Sequence, residues 1–111
     1  MALRDFVHVT DLAAAHLMSL AQLEGGGASR ALNLGTGRGA SVLEVVRAVE
    51  RVSGRAVPRE MAPRRPGDPP VLVADPARAR LELGWAPRYS DLDVIVATAW
   101  AWHSGRPAGA R

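Results

Sequence analysis

Hydrophobic positions in the first quarter of the chain follow a helical spacing behind a short alternating run. The alternation of residues 4–9, RDFVHV, is typical of a short strand. Thr10 is a suitable N-cap with Asp11 in the first turn, and the three glycines at 25–27 provide an end. A helix is predicted between them. Its apolar face consists of Ala13, Leu17, Leu20 and Ala21.

A stripe of valines predicts a second helix behind three closely spaced glycines. Residues 31–34, ALNL, form a strand candidate before these glycines. Ser41 and Glu44 give the capping-box pattern S-x-x-E at the start of the helix, and Gly54 gives its end. The stripe has helical spacing and consists of Val42, Val45, Val46, Val49 and Val52.

Prolines dominate the middle of the chain. Residues 56–63 are predicted to be extended, and Pro58 limits them to an edge strand. Residues 63–70, PRRPGDPP, predict a stiff loop that cannot join the interior of a helix or sheet. Residues 71–74, VLVA, form a short strand candidate after it.

Two further helices are predicted in the last third. Asp75 and Pro76 provide an N-cap and a first helical position, and Gly84 ends this third helix. Trp85 follows at once and is expected to dock on the core. The last helix is predicted to start at Ser90, and its apolar face consists of Leu92, Ile95, Val96 and Ala99. The order of elements predicts a mixed α/β fold with short strands.

The three glycines at 35, 37 and 39 raise the question of a nucleotide site. A dinucleotide-binding turn has the spacing G-x-G-x-x-G, whereas this chain has G-x-G-x-G, one residue shorter. Glu60 lies at the distance of the acid that binds a ribose, but its proline-containing segment does not resemble a buried parallel strand. Two interpretations stay open from the residues alone: a cofactor cradle, or a structural turn that needs unusual backbone angles.

Composition narrows the function classes. The 111 residues are 48% hydrophobic and 23% charged, which is typical of one small folded domain. The absence of cysteine and the scattered histidines argue against a metal site. Since no leader pattern or membrane-length apolar run is seen, we expect a cytoplasmic protein.

Arginine is the only residue type among the 14 Lys and Arg positions. The 14 basic residues give a net charge of +3, and the chain has no lysine. A P-loop lysine and a Tyr-x-x-x-Lys catalytic pair are therefore excluded within this chain. Because the arginines are spread along the sequence, a small anionic ligand is favoured over nucleic acid.

Four blocks resemble one enzyme family in order and spacing. The blocks RDFVHVTDLAAAH, NLGTGRGASVLEVV, PRRPGDPP and ADPARARLELGW are similar to the C-terminal third of UDP-glucose 4-epimerases, which are extended short-chain dehydrogenase/reductases. The resemblance covers about residues 4 to 103. It implies an α/β substrate-binding part over residues 1–104 without the N-terminal Rossmann domain, and a flexible tail over 105–111.

The resemblance also implies that cofactor binding and substrate binding belong to different parts of the full-length protein. In the family, the Rossmann domain holds NAD and carries a Tyr-x-x-x-Lys pair, and the smaller part grips the UDP of UDP-glucose or UDP-galactose. The full-length enzyme is a homodimer that inverts C4 through a 4-keto intermediate. This chain has only Tyr89 and no lysine. We therefore expect no catalytic, NAD-binding or metal-binding residues in it, and no epimerisation by the chain alone.

Three residues carry the expected UDP contacts by resemblance. Arg4 and Arg65 match family arginines on the diphosphate, and Asp68 matches a contact to the ribose hydroxyls. The chemistry agrees, because guanidinium forks suit phosphate oxygens and a carboxylate accepts from vicinal hydroxyls. The residues alone also allow surface roles: Arg4 paired with Asp5 or Asp11, Arg65 solvated, and Asp68 serving as a turn residue.

Several other polar and aromatic residues are given structural roles. Arg64 is expected to face solvent or a neighbouring carboxylate, and His8 and His16 to pack or hydrogen-bond. The three tryptophans, Trp85, Trp100 and Trp102, are expected in the core or on a docking surface.

Two positions depart from the family pattern. Phe6 replaces the tyrosine of RDY, and Leu72 stands where some members have a substrate-contacting tyrosine.

Three functions remain open at this point. The chain is a UDP-sugar-binding portion of an epimerase, a module that completes a separate Rossmann chain, or a small arginine-rich nucleic-acid-binding protein. Under the first hypothesis, the helix and strand of residues 10–34 would lose their Rossmann neighbour. The chain alone should then expose an apolar face.

Overall fold

Four helices and three two-residue strands make up the computed structural model, which describes residues 2–105. In chain order they are β1 (Leu3–Arg4), α1 (Val9–Glu24), β2 (Ala40–Ser41), α2 (Val42–Ser53), β3 (Val71–Leu72), α3 (Ala77–Leu83) and α4 (Leu92–Ser104). This mixed α/β architecture with short strands is as predicted. The tail predicted over 105–111 lies outside the described residues, except for Gly105.

The sheet is smaller than the sequence pattern predicted. Its strand order is β2-β1-β3, with β1 antiparallel to β2 and parallel to β3. The strand predicted over 4–9 is wrong beyond Arg4, because the chain leaves the ladder and His8 already serves as the N-cap of α1. The strand predicted over 31–34 does not form, since within the described residues no strand pairs with it.

Helix boundaries follow local capping chemistry. The Ser41 hydroxyl accepts a hydrogen bond from the Glu44 amide at 3.1 Å, and Gly54 ends α2 at a φ of 70°. Gly84 ends α3 at a φ of 73°. These three predictions are confirmed.

Three predicted N-caps are wrong by one or two residues. Helix α3 begins at Ala77 with Pro76 and not Asp75 in the N-cap position, and the Asp75 carboxylate accepts from the Ala77 amide at 3.0 Å. Helix α1 is capped by His8 and not by Thr10, because the His8 Nδ1 accepts from the Thr10 amide at 3.0 Å. Helix α4 is capped by Asp91 and not by Ser90, because the Asp91 carboxylate accepts from the Asp93 amide at 2.8 Å.

Trp85 forms the centre of the first core. Its side chain is 1% exposed, and its Nε1 donates to the Asp11 carbonyl at 2.8 Å. The buried Asp11 carboxylate accepts from the backbone amides of Arg88 and Tyr89 at 2.9 and 3.0 Å. Trp85 therefore docks as predicted, and α1 is tied to the segment after α3. The packed neighbours are Ala14, Ala15, Met18, Leu32, Leu34, Ala79 and Leu83.

The second core lies between α2 and α4. Phe6 reaches it from the segment after β1, and the predicted face of α4 lines it together with Val45 and Val49 of α2. Val42, the first residue of the predicted α2 face, is 56% exposed. At the surface the Arg51 guanidinium donates to the Asp93 carboxylate at 2.7 Å. This hydrogen bond lowers the pKa of Asp93 and raises that of Arg51. Arg55 lies over the Trp100 ring at 5.6 Å.

The outer face of α1 is exposed and apolar. Leu17 is 68% exposed and Leu20 is 53% exposed, and the other predicted members of this face, Ala13 and Ala21, are also exposed. Residues 31–34 run beside the helix, and both segments line a groove of about 320 Å³. The exposed apolar face expected over residues 10–34 is therefore present. Among residues 2–105, no helix is both long enough and apolar enough to cross a membrane.

Candidate functional site

The glycine turn of residues 35–39 is filled by a carboxylate from the same chain. Both Asp5 oxygens lie within hydrogen-bond distance of the Thr36 amide, at 2.9 and 3.0 Å. The Thr36 hydroxyl donates to the same carboxylate at 2.7 Å, and the Gly37 amide donates at 3.0 Å. Successive backbone amides in a turn form an anion-binding concavity. Here Asp5 supplies the anion.

Close approach explains two of the three glycines in this turn, and a positive φ explains the third. A Cβ at Gly35 would lie 2.6 Å from the Ala74 Cβ and 2.6 Å from an Asp5 oxygen. A Cβ at Gly39 would lie 3.1 Å from the Leu3 Cβ. Gly37 has a φ of +78°. Of the two interpretations left open by the sequence, this geometry favours the structural turn, because the donors that would meet a phosphate already meet Asp5.

Arg4 connects the sheet to the proline-rich loop. Its Nη1 donates to the Leu3 carbonyl at 2.8 Å and to the Pro69 carbonyl at 3.0 Å. The pairing with Asp5 or Asp11 that the sequence left open is wrong, since both carboxylates accept from backbone amides elsewhere. The guanidinium therefore lies against the loop that contains the other two predicted site residues.

The proline-rich loop presents its charges to solvent. The Arg65 Nε lies 3.0 Å from an Asp68 carboxylate oxygen, and the Arg65 side chain is 84% exposed. The Arg64 Nη2 donates to the Asp68 carbonyl at 2.7 Å, so Arg64 braces the loop instead of meeting a carboxylate. Gly67 makes the turn between Arg65 and Asp68 at a φ of +85°.

The three predicted site residues are brought together by this arrangement. Arg4 bonds to Pro69, which directly follows Asp68, and Asp68 pairs with Arg65. In the sheet register, Leu72 stands opposite Arg4. The Arg4 guanidinium on β1, together with the Arg65 guanidinium and the Asp68 carboxylate on the proline-stiffened loop, can bind a ligand that carries both phosphate and hydroxyl groups.

Two residues missed by the sequence analysis have decisive contacts. The sequence predicts a surface role beside Arg4 for Asp5, and for Asp11 that role or a place in the first turn of the helix, yet each organises a distant turn through backbone amides. No local signal identifies these contacts, because Asp5 meets a residue 31 positions away and Asp11 one 77 positions away.

The histidines have the structural roles that were predicted. The His8 Nδ1 accepts from Thr10, so its Nε2 carries the proton and donates to the Thr98 hydroxyl at 2.9 Å. His16 lies 2.6 Å from the Leu12 carbonyl. In residues 2–105, no group of three His, Asp or Glu side chains is arranged to hold a metal ion.

Comparison with known proteins establishes the family. A family model described as GDP-mannose 4,6 dehydratase matches residues 1–98. The chain belongs to this family. Among curated members, the UDP-glucose 4-epimerase of Lacticaseibacillus casei is 48% identical over 106 residues, which cover 96% of this chain and 32% of that protein. The resemblance to UDP-glucose 4-epimerases is confirmed.

Solved structures of the family agree with the fold. A UDP-glucose 4-epimerase crystal structure matches with a TM-score of 0.92 and 47% identity, and the match covers 99% of this chain and 33% of that one. The Bifidobacterium longum enzyme, solved with NAD+ and UDP, matches with a TM-score of 0.85 and 36% identity over 99% of this chain and 32% of that one. The chain thus spans about a third of the length of these relatives.

Proposed function

We propose that residues 1–104 are the UDP-sugar-binding portion of a UDP-glucose 4-epimerase, equivalent to its C-terminal part. The full-length family interconverts UDP-glucose and UDP-galactose. The observation that carries the proposal is the hydrogen bond from Arg4 to the Pro69 carbonyl, because it joins Arg4 to the loop of Arg65 and Asp68. The bound UDP of the Bifidobacterium longum relative supports the ligand class.

The chemistry of binding follows from the loop. Arg4 and Arg65 would donate to the diphosphate, since a guanidinium presents a planar fork of donors to phosphate oxygens. Asp68 would accept from the ribose hydroxyls after exchanging its contact with Arg65. That exposed ion pair is worth less than about 1 kcal/mol, so its exchange is inexpensive.

Calorimetry with UDP tests this function directly. We expect the 111-residue chain to bind UDP, and Arg65→Ala to weaken binding at least about tenfold through the loss of one charge-assisted contact. Arg47→Ala is the matched control, because Arg47 is an exposed arginine on α2, outside the proposed site. UMP should bind more weakly than UDP if the diphosphate is the recognised group. Equal affinity of the chain and Arg65→Ala for UDP would contradict the proposal.

We propose that the chain does not epimerise or hold NAD by itself. It contains no lysine, its single tyrosine packs beside His8 at a ring-centroid distance of 5.2 Å, and its glycine turn is filled by Asp5. NAD would be held by a Rossmann domain outside this chain, and the Bifidobacterium longum relative was solved with NAD+. NAD-dependent conversion of UDP-galactose by the purified chain would disprove this part of the proposal.

A second candidate function is completion of a separate Rossmann chain in the cytoplasm. The exposed outer face of α1 favours it, because Leu17 and Leu20 present apolar side chains to solvent, and residues 31–34 pair with no strand within residues 2–105. Mixing the chain with a separately expressed Rossmann part of a family member tests it. We expect co-elution and epimerase turnover, and both should be lost in a Leu17→Gln, Leu20→Gln variant. No association with the unaltered chain would contradict this candidate.

A further inference from the structure

Asp5 links the glycine turn to the strand that carries Arg4. It directly follows Arg4, and its carboxylate accepts from the Thr36 amide, the Thr36 hydroxyl and the Gly37 amide. The Thr36 hydroxyl in turn accepts from the Arg38 amide at 3.1 Å. The end of β1 is therefore anchored to the turn by a hydrogen-bonded network and not by the sheet alone.

The sheet by itself is a weak support for Arg4. Strand β1 has two residues, and its register places Arg4 opposite Ala40 on one side and Leu72 on the other. Such a short ladder leaves the direction of the chain after Arg4 open. The Asp5 carboxylate supplies the missing constraint, since it meets two successive amides and a hydroxyl at once.

We propose that Asp5 is a positioning residue for the UDP site. By occupying the amide concavity of the glycine turn, it fixes the end of β1 and holds the Arg4 guanidinium against the Pro69 carbonyl, beside Arg65 and Asp68. This inference rests on the proposed function. It gives the glycine turn a role in binding UDP that involves no contact between the turn and the ligand.

Two substitutions test the inference, one that removes the Asp5 carboxylate and one that removes a single hydrogen bond to it. Asp5→Asn replaces an acceptor-only carboxylate by an amide whose NH₂ cannot accept from the turn. Thr36→Val removes only the hydroxyl that donates to Asp5 and keeps the backbone amide. We expect the UDP dissociation constant to rise about tenfold in Asp5→Asn and about threefold in Thr36→Val, as charge-assisted and polar contacts are lost.

A matched control and a free carboxylate separate positioning from general stability. Thr98→Val is the matched control, because it removes a threonine hydroxyl on α4 that contacts His8. We expect the UDP affinity of this variant to stay within twofold of that of the unaltered chain. Asp5→Gly leaves the amide concavity empty, and added acetate should not restore UDP affinity, because a free carboxylate can fill the concavity but is not joined to β1. Acetate should leave the affinity of the unaltered chain unchanged.

The outcomes are distinguishable by calorimetry on samples whose folding is checked by circular dichroism. Failure of the unaltered chain to bind UDP would contradict the proposed function and the inference together. If the unaltered chain binds but the folded Thr36→Val and Asp5→Asn proteins bind equally well, the inference alone is wrong. If Asp5→Asn does not fold, Thr36→Val decides the matter, and an affinity within twofold of the unaltered chain overturns the inference.

Discussion

The glycine turn of residues 35–39 and the proline-rich loop of residues 63–70 have opposite designs. The turn has the composition of a phosphate site, yet its donors are satisfied by the Asp5 carboxylate and its glycines face other side chains. The loop has the composition of a spacer, yet it presents two arginines and a carboxylate to solvent. A binding site requires donors that a ligand can reach, and the exposed Arg65 of the loop meets that requirement, whereas the amides of the turn already meet Asp5.

The difference also separates stability from binding. In the turn, Asp5 meets several partners and little space remains at Gly35, so substitutions should affect folding, and they should affect binding only indirectly, through the position of Arg4. In the loop, the ion pair is exposed and the space around Gly67 is open, so substitutions should affect ligand contacts. The following substitutions test this contrast, beginning with the largest expected effect.

Gly35→Ala should be the most destabilising change in either segment. The new Cβ would lie 2.6 Å from both the Ala74 Cβ and an Asp5 oxygen, so the turn or β1 must shift. We expect the free energy of unfolding to fall by about 3 kcal/mol, as for other overpacked sites. Urea denaturation followed by circular dichroism measures it. A loss below about 1 kcal/mol would mean that the turn yields easily and that the contrast is wrong.

Gly67→Ala should have a smaller effect for a different reason. Its φ of +85° disfavours a side chain, but no atom lies within 4 Å of the position that a Cβ would occupy. We expect a loss of about 1 kcal/mol, due to backbone strain alone. The same denaturation measurement applies. A loss equal to that of Gly35→Ala would show that crowding does not distinguish the two segments.

Arg65→Ala should leave stability almost unchanged while it weakens UDP binding. The Arg65–Asp68 pair is exposed, and such pairs contribute about 0.5 kcal/mol or less. A change in unfolding free energy above about 1 kcal/mol would give the loop a structural role and remove the contrast with the turn. Thermal unfolding of the variant beside Arg47→Ala provides the comparison.

The smallest effect is expected for the surface pair Arg51–Asp93, which lies outside both the glycine turn and the proline-rich loop. The hydrogen bond from Arg51 lowers the pKa of the Asp93 carboxyl. Because the folded-state pKa is lowered, the pair stabilises the protein above the ordinary Asp pKa and ceases to do so as the pH falls through the lowered value. Arg51→Ala should raise the Asp93 pKa toward its ordinary range, as measured by NMR titration. An unchanged pKa would mean that the pair does not persist in solution.

Helices were predictable where their signals were local. Ser41, Gly54 and Gly84 act on their own helices within four residues, and each lies where its type predicts. The sequence predicts helix α1 with one apolar face, whereas the helix has apolar residues on two faces and buries the other one. Ala15 and Met18 pack inward while Leu17 and Leu20 stay exposed. Pattern alone does not rank two apolar faces of one helix.

Strands and site geometry depended on distant partners. Residues 31–34 alternate as a strand does, yet no strand pairs with them within residues 2–105. The run from Arg4 leaves the ladder because Asp5 meets Thr36, a contact that spans 31 positions. The resemblance identified Arg4, Arg65 and Asp68, whereas their proximity required the fold. Their contacts to UDP remain a prediction.

With Trp100 of α4 replaced by phenylalanine, Trp85 makes the two halves of the molecule separately observable by fluorescence. Its indole is sealed beneath α1 at 1% exposure, whereas Trp102 on α4 is 65% exposed. Emission from Trp85 should therefore be blue-shifted and shielded from soluble quenchers, and emission from Trp102 should be red-shifted and readily quenched. On heating, loss of the blue component would report opening of the α1–α3 layer. A bound Rossmann partner would delay that loss without altering the quenchable component.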